Sequence, residues 1–285
     1  MKPTVASALA DARARGVALL DAQLLLARLL ATTRTSLIAH DERPLAAPEF
    51  ERWSAWLARR AAGEPLAYLL GEKQFHGLVL EVTPAVLVPR PETELLVEWA
   101  SELLRAAAAE GAAAAGGVTA SFADLGTGSG AVALALKHLH REMRAVASDS
   151  SSAALDVARR NAARTGLAVD WLEGSWWEPF AGLGFDVVVS NPPYVADHDP
   201  HLEALRHEPI TALAAGSDGL DALRAIVAGA PRHLVQGGWL VVEHGFAQGA
   251  AVRELLRHAG FGSIATRRDL AGHERATAGQ RGSAA

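Results

Sequence analysis

From Ser121 to Glu243, short apolar runs alternate with stretches of helical spacing. The runs FADL, RAVASD, AVDWLE, FDVVVS and WLVVE read as strands, and helices are expected around Val132, Leu155 and Leu223. Such alternation demands βαβ units, because a strand feeding a crossover helix returns to the same sheet in parallel and leaves both faces covered. The segments FGSIATRRD and ERATAGQR close the pattern as a final strand pair. The fold class is therefore α/β, a Rossmann-like doubly wound sheet.

The region before this sheet has a different texture. From Val5 to about Ala62, apolar residues recur every three or four positions, as at Leu19, Leu20, Leu24, Ala27 and Leu30, which predicts a small helical domain over residues 1–70. Asp21 and Pro48 are expected helix starts, and Trp53, Trp56 and Leu57 read as core. Residues 71–90 alternate apolar and polar positions between prolines and predict a hairpin-like connector. The catalytic domain would occupy 91–285, opening on a helix with Pro91, Glu92 and Glu94 in its first turn. The tract from Ala106 to Gly117 reads as a fraying helix end and loop.

A length of 285 residues accommodates two such domains. The formal charge of −5 gives no global attraction to nucleic acid, although a local basic patch would still be possible. Without cysteine, the chain has no disulfide, thiolate nucleophile or Cys-based zinc site. The N-terminus lacks a signal-peptide stretch and nowhere do about 20 apolar residues run without charge, so the chain reads as soluble and cytoplasmic.

The chemistry is concentrated at the strand ends. Asp124-Leu125-Gly126-Thr127-Gly128-Ser129-Gly130 follows the first strand of the sheet and opens a helix, so its glycines can turn tightly and admit a ligand to the backbone. Asp149, at the end of the next strand, lies where a carboxylate would accept hydrogen bonds from a ribose diol, or would cap the following helix. The loop alone fits a dinucleotide equally well. The fourth strand breaks the tie by running straight into Asn191-Pro192-Pro193-Tyr194. In a doubly wound sheet the first and fourth strands are neighbours, and the crevice beyond their ends is the usual site.

That arrangement suits methyl transfer to a planar, weakly nucleophilic nitrogen in an amide or exocyclic amine. Positive charge grows on the nitrogen as the methyl group arrives, and acceptors aimed at its N–H groups would stabilise it. The Asn191 side-chain oxygen and the Pro192 carbonyl are candidate acceptors, the paired prolines restrict the backbone that aims them, and Tyr194 would be a flat wall against the acceptor. No general base is required.

Taken with PLAYLLGE, VPRPETE, RHEP and EHGFAQG in this order, these motifs resemble those of the HemK-type protein-(glutamine-N5) methyltransferases that modify peptide release factors. The resemblance spans nearly the whole chain. It implies a class I S-adenosylmethionine-dependent methyltransferase with a small N-terminal helical domain for substrate recognition. Gly126, Thr127, Gly128, Ser129, Gly130, Asp149, Trp176 and Asn191 would bind S-adenosyl-L-methionine, which leaves as S-adenosyl-L-homocysteine. Asn191, Pro192, Pro193 and Tyr194 would form the acceptor pocket, with Asn191, Pro192 and Tyr194 catalytic. The family often has an acidic residue before the tryptophan, where this chain has Ser175, so no adenine contact is assigned to that position. The implied partners are peptide chain release factors 1 and 2, with no membrane and no metal, and the enzyme is expected to be a monomer.

Other residues stay open. Arg90, Thr93 and Glu94 would either line the methionine end of the cofactor or simply start a helix, and Glu243 and His244 would support the site from behind. His198 and His201 read as solvated rather than metal-binding. Rival readings are a ribosomal-protein glutamine methyltransferase, an adenine-N6 DNA or RNA methyltransferase sharing NPPY, and a non-catalytic nucleotide-binding module.

Overall fold

In a computed structural model, which describes residues 2–113 and 119–282, the chain divides into two compact units, Met1–Glu72 and Lys73–Ala285. The first holds α1 (Val5–Ala14), α2 (Leu19–Leu29), α3 (Arg34–Ala39), α4 (Ala47–Ala61) and α5 (Leu66–Leu70). Their apolar stripes meet in a core where Val5, Leu25, Leu26, Trp53 and Leu57 are completely buried. Thr4 and Ser7 form a reciprocal capping box on α1, and Thr33 caps α3. Helix α2 starts two residues before Asp21, whose carboxylate instead meets Arg60 of α4 at 2.8 Å. Trp53 is core as expected, whereas Trp56 is half-buried beneath Arg52.

Residues 71–90, expected as a connector, contain a two-stranded hairpin of β1 (Glu72–Phe75) and β2 (Leu78–Glu81). It turns through His76 and Gly77, both at positive φ, as a two-residue hairpin turn requires. After an irregular stretch, a 3₁₀ turn at Pro91–Thr93 leads into α6 (Glu94–Ala113). Part of the expected fraying tract is thus helical, and the rest, from 114, lies outside the described residues.

The sheet comprises β3 (Ser121–Leu125), β4 (Arg144–Asp149), β5 (Asp170–Glu173), β6 (Phe185–Ser190), β7 (Leu234–Glu243), β8 (Phe261–Arg268) and β9 (Glu274–Arg281). Its order is β5-β4-β3-β6-β7-β9-β8, with β3 to β7 parallel and β9 antiparallel to both its neighbours. Helices α7 (Ala131–Leu139), α8 (Ser152–Thr165), α9 (His201–Ala204), α10 (Asp221–Gly229) and α11 (Gly249–His258) complete the unit.

Side-chain alternation sends Phe122, Val187, Val189 and Val241 to one face, against α6 and α7. Ala123, Leu125, Val188, Leu240 and Val242 go to the other, against α10 and α11. Double coverage is why these strands read as unbroken apolar runs. The strand order reverses between β3 and β6, which pair with Leu125 opposite Ser190, so the crevice of a doubly wound sheet opens between Gly126 and Asn191.

Candidate active site

At this switch point lies a cavity of about 330 Å³, lined by Gly126, Thr127, Gly128, Ser129, Asp149, Trp176, Asn191 and Pro193, with Thr93, Asp124 and the stretch from Pro84 to Leu87 among its other walls. Gly126, Gly128 and Gly130 all have positive φ, which explains why the loop needs glycine at these three places. A Cβ on Gly126 would stand 3.3 Å from the Trp176 ring, whereas one on Gly128 would meet nothing within 4 Å. The first glycine admits the indole; the second leaves the backbone open to a ligand. Gly130 does not line the cavity, because a Cβ there would lie 3.0 to 3.2 Å from Trp171, Ala158 and Leu134, making it a packing glycine beneath the loop.

The loop is held from three sides. Thr127 N–H donates to Ser148 O at 2.9 Å and its hydroxyl to Asp124 at 2.6 Å. Gly128 N–H donates to Asp149 Oδ2 at 2.8 Å, while Asp149 Oδ1 accepts from Ser151 N–H at 2.9 Å. Asp149 thus ties the loop to the start of α8, although the cap of that helix is Ser151. Burial raises the Asp149 carboxyl, opposed by these N–H donors, and pushes Asp124 up to about 7.

The third tie is Asn161, which composition and spacing do not single out. It is completely buried, donates to Ser129 O at 2.9 Å and Glu81 O at 3.0 Å, and accepts from Glu81 N–H at 2.6 Å. One amide therefore joins β2 of the connector to the glycine loop. Asn161→Ala strands the buried Ser129 carbonyl and the half-buried N–H and carbonyl of Glu81, and is expected to cost about 2–4 kcal/mol of stability and to weaken ligand binding at the loop. Chemical denaturation with and without ligand would check this; a loss under about 0.5 kcal/mol would show the tie to be incidental.

The NPPY residues separate in space. Asn191 and Pro193 line the cavity; Pro192 is buried and Tyr194 is not among the lining residues, contrary to the expectation of a flat wall. The cause is that Tyr194 packs into the sheet's second core and donates its hydroxyl to Glu243 Oε1 at 3.2 Å. The Asn191 Nδ2 donates to Thr93 Oγ1 at 3.1 Å, leaving Oδ1 as the amide atom available to a ligand. Of the PRPETE residues, Pro89 and Thr93 reach the cavity. Arg90 pairs with the buried Glu208, which also accepts from Val88 N–H at 3.0 Å, and Glu94 accepts from His76 N–H at 2.8 Å. Both fix the connector rather than line the cavity.

Glu243 and His244 are buried behind the site. Burial pushes Glu243 up to about 7 and lowers His244, whose Nε2 lies 2.8 Å from Thr277 Oγ1. The NPPY loop is also held by residues without an obvious sequence signal. Gln248 Nε2 donates to Tyr194 O at 3.0 Å, and Gly219, at positive φ, approaches so closely that a Cβ would stand 2.4 Å from that oxygen. Asp-Gly at 218–219 marks a turn in the sequence but not its neighbour. His198 and His201 lie on an exposed stretch, with His201 2.6 Å from Asp199; among the described residues no cluster of three or more His, Cys, Asp or Glu could hold a metal ion. No helix among these residues is long and apolar enough to cross a membrane.

Comparison with known proteins agrees with this architecture. Residues 4–71 match the PrmC N-terminal domain, and residues 101–215 match the methyltransferase small domain. The release factor glutamine methyltransferase of Burkholderia pseudomallei is 48% identical, covering 98% of each chain, and that of Pseudomonas aeruginosa is 47% identical over 92% of each. Among solved structures, the hMettl16 catalytic domain in complex with MAT2A 3'UTR hairpin 1 superposes with a TM-score of 0.56 over 84% of each chain; at 15% identity it reports on the fold alone. Such identity over nearly the full length, on a sheet whose switch point presents the glycine loop beside NPPY, means that the chain belongs to the release factor glutamine methyltransferase family.

Proposed function

We propose that this chain transfers a methyl group from S-adenosylmethionine to the side-chain amide nitrogen of the glutamine in the Gly-Gly-Gln loop of peptide release factors. The observation that carries the reading is the state of Asn191: its NH2 is engaged by Thr93, and the acceptor oxygen remains for a ligand at the switch-point cavity.

The residues present fit the cofactor. The cavity is a cradle with an open backbone at Gly128, a carboxylate at Asp149 suited to a ribose diol, and an indole at Trp176 suited to a purine face. When bound, the cofactor supplies an electrophilic methyl group. Asn191 Oδ1 accepts one N–H of the substrate amide, and the Pro192 carbonyl is the candidate for the other. Both stabilise the positive charge that develops on nitrogen, and their fixed placement lowers the cost of alignment. Tyr194 acts from behind by holding the end of the loop.

In the same reading, residues 1–70 recognise the substrate, 71–90 connect, and 91–285 catalyse. The helical unit supports its part with exposed apolar side chains at Leu19, Leu20, Ile38 and Phe50, which a protein partner would cover. Folded release factor, radiolabelled cofactor and mass spectrometry of the product test the assignment. Label is expected on the loop glutamine and should fall to background when that glutamine is replaced. A short loop peptide should be at least about tenfold poorer, because it forfeits remote binding energy that positions the amide. Undiminished labelling after the replacement would refute the acceptor; equal use of the peptide would refute the recognition role.

A further inference from the structure

Two segments that belong to neither a strand nor an α-helix wall part of the cavity. The first spans residues 82–90, between β2 and the 3₁₀ turn, and the second is Pro209 with the short turn that follows it. Pro84 of the first and Thr211 of the second line the cavity and are also exposed, so both segments stand between the cavity and solvent. Each is anchored at its far end. Thr93 N–H donates to Arg90 O at 3.1 Å after the first, and Val195 N–H donates to Leu213 O at 2.8 Å after the second. The two segments meet at Glu208, whose side chain is 2% exposed. Its Oε2 accepts Val88 N–H at 3.0 Å and its Oε1 accepts Arg90 Nη2.

One carboxylate on the second wall thus takes a backbone N–H and a guanidinium from the first, and such charge-assisted bonds are roughly twice as strong as neutral ones. A segment without ladder or helix bonds of its own opens locally at little cost, so its position depends on ties of this kind. Val88 lies between Leu87 and Pro89, both of which line the cavity, so the bond at Val88 sets how close this wall stands to the other. Pro89 has no N–H and cannot take over that bond. Arg90, with its side chain one-third exposed, closes the pair from the solvent side.

We propose that Glu208 and Arg90 are positioning residues that clasp the two walls together across the cavity, and that their pairing sets how long the cofactor stays bound. The proposal rests on the reading of this cavity as the S-adenosylmethionine site. The glycine loop, Asp149 and Trp176 lie on other elements and are untouched when the clasp is broken, so a ligand still finds the same surface. What changes is retention. Walls that part freely let a bound ligand leave, and the loss appears in the dissociation rate rather than in association.

The experiment uses the full chain and S-adenosyl-L-methionine without acceptor, followed by stopped-flow tryptophan fluorescence, to which Trp176 in the cavity wall contributes. Glu208→Gln can still accept from Val88 N–H but loses the charge that meets Arg90. It is expected to speed dissociation at least about tenfold while association stays within about threefold. Arg90→Met removes the same pair from the other wall and should act alike. The double variant should dissociate within about twofold of Glu208→Gln, because both changes break one interaction. It also leaves no buried charge unpaired, so it is the variant least prone to unfold and keeps the test open if a single variant does. Arg90→Lys retains the charge, and because Nη2 alone engages Glu208 a point charge suffices, so dissociation should return to within about threefold of the parent. A role confined to fold stability would lower the unfolding midpoint and leave the dissociation rate of the folded protein unchanged. That result overturns the proposal, as do effects that multiply in the double variant, or Arg90→Lys behaving like Arg90→Met. Failure of the underlying reading looks different: the parent itself would show no saturable binding, and the clasp would fall with the cofactor assignment.

Discussion

Replacing Asn191 with alanine is expected to slow methyl transfer at least about a hundredfold while cofactor affinity changes by no more than about twofold. The side chain lines the cavity, but the loop backbone at Gly128, the Asp149 carboxylate and the Trp176 ring are untouched by its loss. Removing Oδ1 takes away an acceptor whose interaction strengthens as the substrate nitrogen becomes positive, and such a contact appears in turnover rather than in ground-state binding. Asn191→Asp separates two contributions. The carboxylate keeps an acceptor but cannot donate to Thr93, so it retains charge stabilisation while losing the fixed orientation. Single-turnover labelling beside calorimetry distinguishes these effects. Parallel losses in binding and turnover would mean that Asn191 serves the cofactor and not the acceptor.

Much of the fold is legible in the sequence because its constraints are local. The Val187–Val189 centre of FDVVVS is buried on both faces and is apolar throughout, and glycine at 126, 128 and 130 answers a backbone conformation that other residues resist. The strand that ends in WLVVE is harder to delimit. It begins at Leu234, where Gly237 at positive φ and a register shift against β6 interrupt the pattern. Helix α11 starts after Gln248 with no capping side chain, so its N-terminus carries no local signal.

The supporting residues of the site are illegible for a different reason. Asn161, Glu208 and Gln248 act on backbone atoms 80, 120 and 54 positions away, and a polar residue in a helix or loop does not announce a distant partner. Tyr194 shows the same limit from the other side. Its place in NPPY directs attention to the substrate, yet its hydroxyl is committed to Glu243 and its ring to the core. Motif order along the chain establishes which loops meet at the switch point; which atoms of each loop face inward depends on long-range hydrogen bonds.

The second large effect concerns Asp149. Asp149→Ala is expected to weaken binding of S-adenosylmethionine about ten- to a hundredfold, since a hydrogen bond to a charged acceptor contributes about 1.5–3 kcal/mol. In this structure the carboxylate has two tasks. It lines the cavity, and it also accepts from Gly128 N–H at 2.8 Å and Ser151 N–H at 2.9 Å, so alanine would loosen the loop as well as remove the ligand contact. Asp149→Asn apportions the two tasks: one amide oxygen can still accept from a backbone N–H, while the negative charge and one acceptor atom are gone. If direct recognition of a ribose diol dominates, asparagine should lose nearly as much affinity as alanine. If anchoring of the loop dominates, asparagine should recover most of it, and its thermal unfolding midpoint without ligand should lie closer to the parent's. Affinity unchanged in both variants would remove Asp149 from the site and leave it as a tie between the glycine loop and the start of α8.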